Sequence, residues 1–305
     1  MESEFLRWLD RHLPEHPRFL LGPGDDAAVL RWSGEDCVVT SDMLHDGTDF
    51  VSGQSDWRLV GRKALAVNLS DLAAMAARPV AAVVSLLLPR QGGLEIAKSL
   101  YEGLLALADQ FDLPIAGGDT NSWDGPVVIS VTAIGKTTEH GFWRRRGAVA
   151  GDQILVTGSF GGSILGRQFE FTPRVHEALE LATRYRIHAA TDVSDGLSLD
   201  LAHVCQASGC GAELHLDQIP ISADAHRLAA LPTTPQQAAL DHALGDGEDF
   251  ELILAVPAEQ AKRLLDDQPL EVALTYIGHF IDQPGLWAVD RSGQRRPLIP
   301  RGYRH

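Results

Sequence analysis

Cysteine is scarce in this chain. Three occur in 305 residues, Cys37, Cys205 and Cys210, and no CxxC is among them. An odd number without paired spacing excludes a disulfide framework and a zinc site, so the three read as reduced thiols. Positive charge is short as well: 26 Lys and Arg stand against 41 Asp and Glu, a formal net charge of -15. That excludes a general nucleic-acid binder, which needs a basic face. It leaves anionic substrates open where metal ions bridge the two negative partners. Long apolar runs are missing too. The longest, VAAVVSLLL at 80–88, is closed by Pro79 and Pro89; it is too short to span a bilayer and reads as a buried strand. The first residues, MESEFLRWLDRHLPEH, are charged and lack the apolar centre of a signal peptide. These absences predict a cytoplasmic protein without membrane or nucleic-acid partners.

Three ready-made catalytic motifs are also lacking. Nothing matches GxxxxGK[ST] or Gly-x-Ser-x-Gly. GPGDDA at 22–27 fits GxGxxA in form, and Asp42 lies at a plausible distance for a ribose contact. But six residues, AAVLRW, separate Asp26 from a turn at Ser33-Gly34, so no helix follows. Two carboxylates would also face the pyrophosphate that a helix N-terminus should attract.

What is present is enough chain for about two domains, with 45% apolar and 22% charged residues, an ordinary core-forming mix. Residues 3–13 read as a short amphipathic helix, and AAVLRW, SGED and CVVTSDML as strand, turn and strand. A helix over 56–77, ending before Arg78-Pro79, is followed by the 80–88 strand and a helix over 93–110. IAGGDT and PVVISVTAIG add strands. Few long helices separate these strands, so the N-terminal half reads as α+β. The charged connection WRRRGAVAGD, 143–152, marks a boundary: residues 1–147 form one domain and 148–305 another. In the second half ILVTG, AELHL, FELILAV and TYIGHFI alternate with helical stretches, and TDVSDGLSLDLAHVCQASG starts as a polar turn and becomes helical, which predicts an α/β domain.

Aspartates recur where regular structure meets loop: Asp25-Asp26, Ser41-Asp42, Asn68-Leu69-Ser70-Asp71, Gly117-Gly118-Asp119-Thr120, Asp192-Val193-Ser194-Asp195-Gly196 and Gly247-Glu248-Asp249. Each alone has a plain explanation. Asp25 and Asp26 suit a turn, Ser194 and Asp195 suit a helix cap, and Glu248-Asp249 suits a solvated loop. Together they require a separate coincidence at every site. The sharpest pointer is Asp71. It lies three residues from Asn68, on one face of the otherwise apolar helix ALAVNLSDLAAMAA. A charge there is costly unless a cation or donors satisfy it. Carboxylates without cysteine or clustered histidine favour hard cations, Mg²⁺ above all. Several such ions suit ATP, whose charge they neutralise as the γ-phosphoryl moves. The residues thus predict Mg²⁺-dependent phosphoryl or nucleotidyl transfer.

The ordered set GDDAA, TSDML…DF, VNLSDLAAMAA, GGDT, RRGAVAGD…VTG, DVSDGLSLDL and GEDFEL resembles thiamine-monophosphate kinase. That family belongs to the aminoimidazole-ribonucleotide-synthetase-like ATP-binding superfamily. The likeness runs from about residue 20 to the C-terminus. It implies an N-terminal α+β domain whose mixed sheet forms a barrel in a homodimer, and a C-terminal α/β domain. It implies that ATP and thiamine phosphate give ADP and thiamine diphosphate. Carried over by position, Asp26, Thr40, Ser41, Asp42, Asp71, Asp119, Asp192 and Asp195 would ligate several Mg²⁺ ions. Gly118, Asp119, Arg145 and Ser194 would hold ATP, with Asp119 and Arg145 also serving catalysis. Asp49, Glu248 and Tyr303 would face the acceptor, while Asp25 shapes the turn.

Three departures from the pattern fall on the acceptor side. Asp49-Phe50 replaces the usual His-Phe, with His45 four residues earlier able to compensate if the loop folds back. Arg-Pro-x-Pro-Arg is reduced to Thr172-Pro173-Arg174. The C-terminal Gly-aromatic-x-His-Phe stops at Gly302-Tyr303-Arg304-His305. The alternatives are a kinase or synthetase of the same superfamily with another acceptor, or a non-catalytic ATP-binding protein. Selenophosphate synthesis is disfavoured because no cysteine lies in a Gly-rich N-terminal segment.

Overall fold

The computed structural model describes residues 18–21, 25–31, 36–232 and 237–303. The helix expected over 3–13, the Gly-Pro-Gly stretch and most of the SGED turn lie outside them. The described residues form two compact units, one of residues 18–141 with Phe169–Val175, the other of Phe142–Gln168 with residues 176–303.

The first unit is a mixed six-stranded sheet with two helices. Its strands are β1 (Phe19–Leu21), β2 (Ala28–Arg31), β3 (Asp36–His45), β4 (Arg78–Pro89), β5 (Ile115–Trp123) and β6 (Val128–Lys136), in the order β1-β2-β3-β6-β4-β5. Only β4 and β5 pair in parallel. Helix α1 (Trp57–Ala74) starts where Asp56 accepts a bond from Arg58 N at 2.8 Å. It ends where Ala76 takes a left-handed φ of 49° and Ala77 N–H returns to Leu72 O. Its buried residues run almost all round, from Val60 to Ala74. One side lies on β3, β4 and β6, the other on helix α2 (Gly93–Gln110). Two glycines allow that crossing. A Cβ on Gly61 would sit 1.9 Å from Leu100 O, and one on Gly103 would sit 1.8 Å from Arg58 O.

Period-two alternation splits the sheet into two faces. Val38, Thr40, Leu44, Val84, Leu86, Ile129, Val131 and Ala133 are buried. Their neighbours Cys37, Val39, Val83, Leu87 and Ile134 are half-buried, and Ser41 and Met43 are exposed.

The second unit carries a seven-stranded sheet of β7 (Gln153–Thr157), β8 (Ala189–Asp192), β9 (Gly211–His215), β10 (Leu252–Val256), β11 (Leu274–Ile281), β12 (Gly285–Val289) and β13 (Arg295–Pro297). The order is β13-β12-β9-β11-β7-β10-β8. Only β12 and β9 run parallel. The expected α/β domain is therefore corrected to α+β: its strands alternate with helices in sequence, yet neighbours in the sheet mostly run antiparallel. Strands β12 and β13 were not legible because Pro284-Gly285 and the exposed, basic RRP segment read as loop. Ile154, Val156, Phe160, Leu201, Val204, Ala212, Leu214 and Phe280 lie in the principal core cluster. Among the described residues no helix is long and apolar enough to cross a membrane.

Candidate active site

In the first unit the acidic residues converge under α1. Thr40 and Asp42 share one face of β3, two residues apart. The Thr40 hydroxyl bonds the Asp71 carboxylate and lies 3.3 Å from Asp26 O. Carboxylate oxygens of Asp26 and Asp71 lie within 4.8 Å of each other. Asp26 is 7% exposed, and its N–H donates to Asp25 Oδ1 at 3.0 Å, so Asp25 does shape the turn. Asp42 Oδ2 is enclosed and accepts no hydrogen bond among the described residues, and the same holds for Asn68 Oδ1. Asn68 Nδ2 donates to Ala64 O, one turn earlier in α1.

Burial pushes the Asp42 carboxyl up to about 6; a bond to Asp71 opposes this, and the charges of Asp26 and Asp49 add to it. Three neighbouring carboxylates, one of them Asp42 with an enclosed, unsatisfied oxygen among the described residues, and no soft donor suit Mg²⁺. The sign of the pH effect follows. An unfolded aspartate titrates near 4. Between about 4 and 6 the folded, metal-free protein therefore binds the extra proton. Its stability falls as pH rises across that interval and levels off above it. Relative to Asp42→Asn, the metal-free wild type should lose on the order of 2 kcal/mol between pH 4 and pH 7. Urea titrations without metal measure this, and parallel stability curves would refute it. Added Mg²⁺ should reduce the loss at pH 7.

Other expected residues lie elsewhere in this unit. Ser41 points to the opposite face of β3 from Thr40, its hydroxyl 2.9 Å from Thr132 Oγ1. Gly118 and Asp119 are exposed on β5, three strands from β3, or about 14 Å at ordinary strand spacing. One chain thus does not bring Ser41 or Asp119 into the Thr40–Asp71 cluster. Gly118 is needed because a Cβ there would lie 1.7 Å from Val84 O. The 45–52 loop does fold back. Thr48 and Asp49 donate N–H to His45 O, and Asp49 Oδ2 accepts from His45 N at 2.6 Å. Fully buried Lys63 of α1 holds this loop, its Nζ 2.9 Å from Asp49 O.

In the second unit Asp192 ends β8, buried. Of the three consecutive arginines, Arg144 stacks on Phe142 at 4.6 Å, whereas Arg145 Nε reaches Thr191 Oγ1 at 3.3 Å, next to Asp192. Ser194 and Asp195 precede helix α5 (Leu197–Ser208), following α3 (Arg167–Glu170) and α4 (Val175–Arg184). They do not cap it. Asp200 Oδ2 accepts from Asp195 N and Gly196 N, both at 3.0 Å. Two segments close on this turn. Glu248 N donates to Ser194 O at 2.7 Å and Phe250 N to Val193 O at 2.8 Å, while Tyr303 N donates to Asp195 O at 2.9 Å. Buried Ser198 ties the C-terminal segment down through Arg301 N and O, each at 2.9 Å. The structure thus brings Ser194, Asp195, Glu248 and the Tyr303 backbone together.

Sequence reading passed over Glu251 and Arg167, and its plain explanation of Asp249 as part of a solvated loop is corrected by that residue's burial. Glu248 and Phe250 hold left-handed φ of 54° and 51°, each costing about 1–2 kcal/mol. Between them Asp249 is buried; it accepts from Gly161 N at 2.9 Å and Ser163 Oγ at 2.7 Å and pairs with Arg167. Burial lifts its carboxyl to about 7 against the pull of Arg167, Ser163 and Gly161. Glu251 accepts from Thr157 Oγ1 at 2.6 Å. The signal available was the density of acids in GEDFE beside the glycines of GSFGGS.

Residues 24–137 match the model for the N-terminal domain of AIR synthase related protein, and 148–290 match its C-terminal domain. That defines the class. The thiamine-monophosphate kinase of Rhodopirellula baltica is 42% identical over 314 residues, covering 100% of this chain and 97% of that one. The chain belongs to the thiamine-monophosphate kinase family. The solved structure described as AaThiL complexed with AMPPCP and TMP superposes with a TM-score of 0.85 at 25% identity, covering 100% of this chain and 96% of the other. A thiamine-monophosphate kinase from Stenotrophomonas maltophilia K279a gives 0.73 at 35%, covering 93% and 94%.

Proposed function

We propose that this chain transfers the γ-phosphoryl of ATP to thiamine phosphate, giving thiamine diphosphate, in a cytoplasmic setting. The observation that carries the reading is the Asp26, Thr40, Asp42 and Asp71 cluster in a chain 42% identical to a kinase of that name. Asp26, Asp42 and Asp71 would hold Mg²⁺, with Thr40, Asp119, Asp192 and Asp195 as further ligands, whereas the Ser41 side chain faces away from them. Bound Mg²⁺ would neutralise phosphate charge. Transfer is direct and in line. The attacking oxygen belongs to the acceptor phosphate, whose second pKa of about 6 leaves it largely dianionic at neutral pH. No general base is needed, and the chain contributes positioning and charge. Gly118, Arg145 and Ser194 hold ATP, and Arg145 also meets charge on the transferred group. Asp49, Glu248 and Tyr303 face the acceptor. The working division is residues 1–147 for ATP, Mg²⁺ and dimerisation, and 148–305 for the second domain.

A homodimer is part of this proposal. Among the described residues strand β5 is hydrogen-bonded on one side only, and the sheet face bearing Val39, Met43, Val83 and Leu87 is partly apolar yet incompletely buried. A second copy would cover both and would let Asp119 serve the other copy's cluster. Sedimentation should give twice the 33.0 kDa of one chain; a monomer would contradict the arrangement.

The deciding experiment is chromatography of products from Mg²⁺-ATP and thiamine phosphate. Thiamine diphosphate is expected. Its absence, with ATP binding intact, would indicate another acceptor or a non-catalytic role. Asp49→His should change the KM for thiamine phosphate and leave ATP affinity unchanged. A shift in ATP affinity alone would contradict the placement of Asp49.

A further inference from the structure

We infer that Asp249 and Arg167 are positioning residues that fix the backbone turn presenting Glu248. The inference rests on the reading of Glu248 as an acceptor contact. Asp249 is flanked on both sides by non-glycine residues in the left-handed region. Such conformations persist only where the surroundings over-determine them. The two backbone bonds from Glu248 and Phe250 to the 193–194 segment fix the ends of the turn. Its middle is fixed by the Asp249 side chain, 1% exposed, which points away from that segment into the glycine-rich loop 158–163. There it meets Gly161 N with both oxygens, at 2.9 and 3.0 Å, and Ser163 Oγ.

Arg167 completes the arrangement. Its Nη1 donates to Ser159 O at 2.7 Å. Its Nη2 reaches Gly161 O at 3.2 Å, Ser163 Oγ at 3.0 Å and the Asp249 carboxylate. One guanidinium thus ties three residues of the loop to the acid that holds the turn. The loop has no freedom to follow a displaced Asp249. A Cβ on Gly161 would sit 2.6 Å from Ala243 N and one on Gly162 would sit 2.4 Å from Asp224 C, so helices on its far side already press against it. A charged, buried pair with this many donors costs heavily if one partner is removed. Its effect here is directional: strain in the turn is balanced by bonds to a rigid wall. Loss of the bonds lets Glu248 relax.

The test pairs kinetics with amide exchange in the full chain. Asp249→Asn keeps an acceptor for Gly161 and Ser163 and removes the charge that Arg167 meets. We expect exchange at the Glu248 and Phe250 amides to rise about tenfold while strand β10 stays protected, with the acceptor KM up about tenfold and the ATP KM unchanged. Arg167→Met should do the same more mildly, and Arg167→Lys, which keeps the charge, should recover most of the wild-type behaviour. Unchanged exchange in the turn, or equal loosening of β10 without a change in acceptor KM, would overturn the inference. Glu248→Gln is the separating control. If it leaves the acceptor KM untouched, the assignment of Glu248 fails, while the exchange result still decides whether Asp249 pins the turn.

Discussion

Asp119→Asn should lower turnover at least about 100-fold without unfolding the protein, because it removes a proposed ligand of the Mg²⁺ that neutralises phosphate charge. The side chain is exposed on β5, and its one hydrogen bond given by the structure comes from Thr120 N–H at 2.9 Å. An asparagine Oδ1 accepts that bond equally well. The urea midpoint should therefore match wild type, and ATP-dependent formation of thiamine diphosphate should nearly vanish. Near-normal product formation at saturating Mg²⁺ would remove Asp119 from the metal-ligand set. A fall in stability of similar size would instead make it a structural residue of the β-edge.

Gly103→Ala should be severely damaging to the first unit. Its Cβ would lie 1.8 Å from Arg58 O and 2.5 Å from Arg58 C, backbone atoms of a neighbouring helix that cannot rotate away. The helices must separate. Helix α1 buries residues on both its sheet side and its α2 side, so separation opens the core on the face carrying Asp71. A loss of at least about 3 kcal/mol is expected, at the upper end for overpacking. Denaturant titration followed by circular dichroism measures it. A loss under about 1 kcal/mol would mean that the crossing tolerates far more adjustment than backbone contact permits.

Most elements were legible because their signals are local. Proline at 79 and 89 bracketed β4, and the apolar face of ALAVNLSDLAAMAA gave α1. The Thr40, Asp42 and Asp71 grouping was legible in part. The same-face spacing of Asn68 and Asp71 identified a polar pair on an apolar helix, Asn68 buried and Asp71 half-buried, but its partner on β3 is a tertiary fact. Ser41 shows the limit of motif reasoning: adjacent residues of a strand face opposite ways, so TSD could not place all three side chains together. Asp200 was passed over because it caps from four residues inside the helix, where an aspartate reads as surface. Strand polarity in the second unit was illegible for a similar reason, since strand–helix alternation in sequence does not state which strands become neighbours.

The open edge of β5 has a consequence for how activity scales. In the proposed dimer, Asp119 works at the cluster of the other copy, so a solitary chain carries both halves of a site that it cannot close. Specific activity should then fall on dilution, with a midpoint equal to the dissociation constant of the pair. Mixing Asp119→Asn with Asp71→Asn chains, each inactive alone, should regenerate functional sites by complementation. One intact site per mixed pair would set a ceiling of about half the wild-type rate, and about a quarter when equal amounts of the two assort at random.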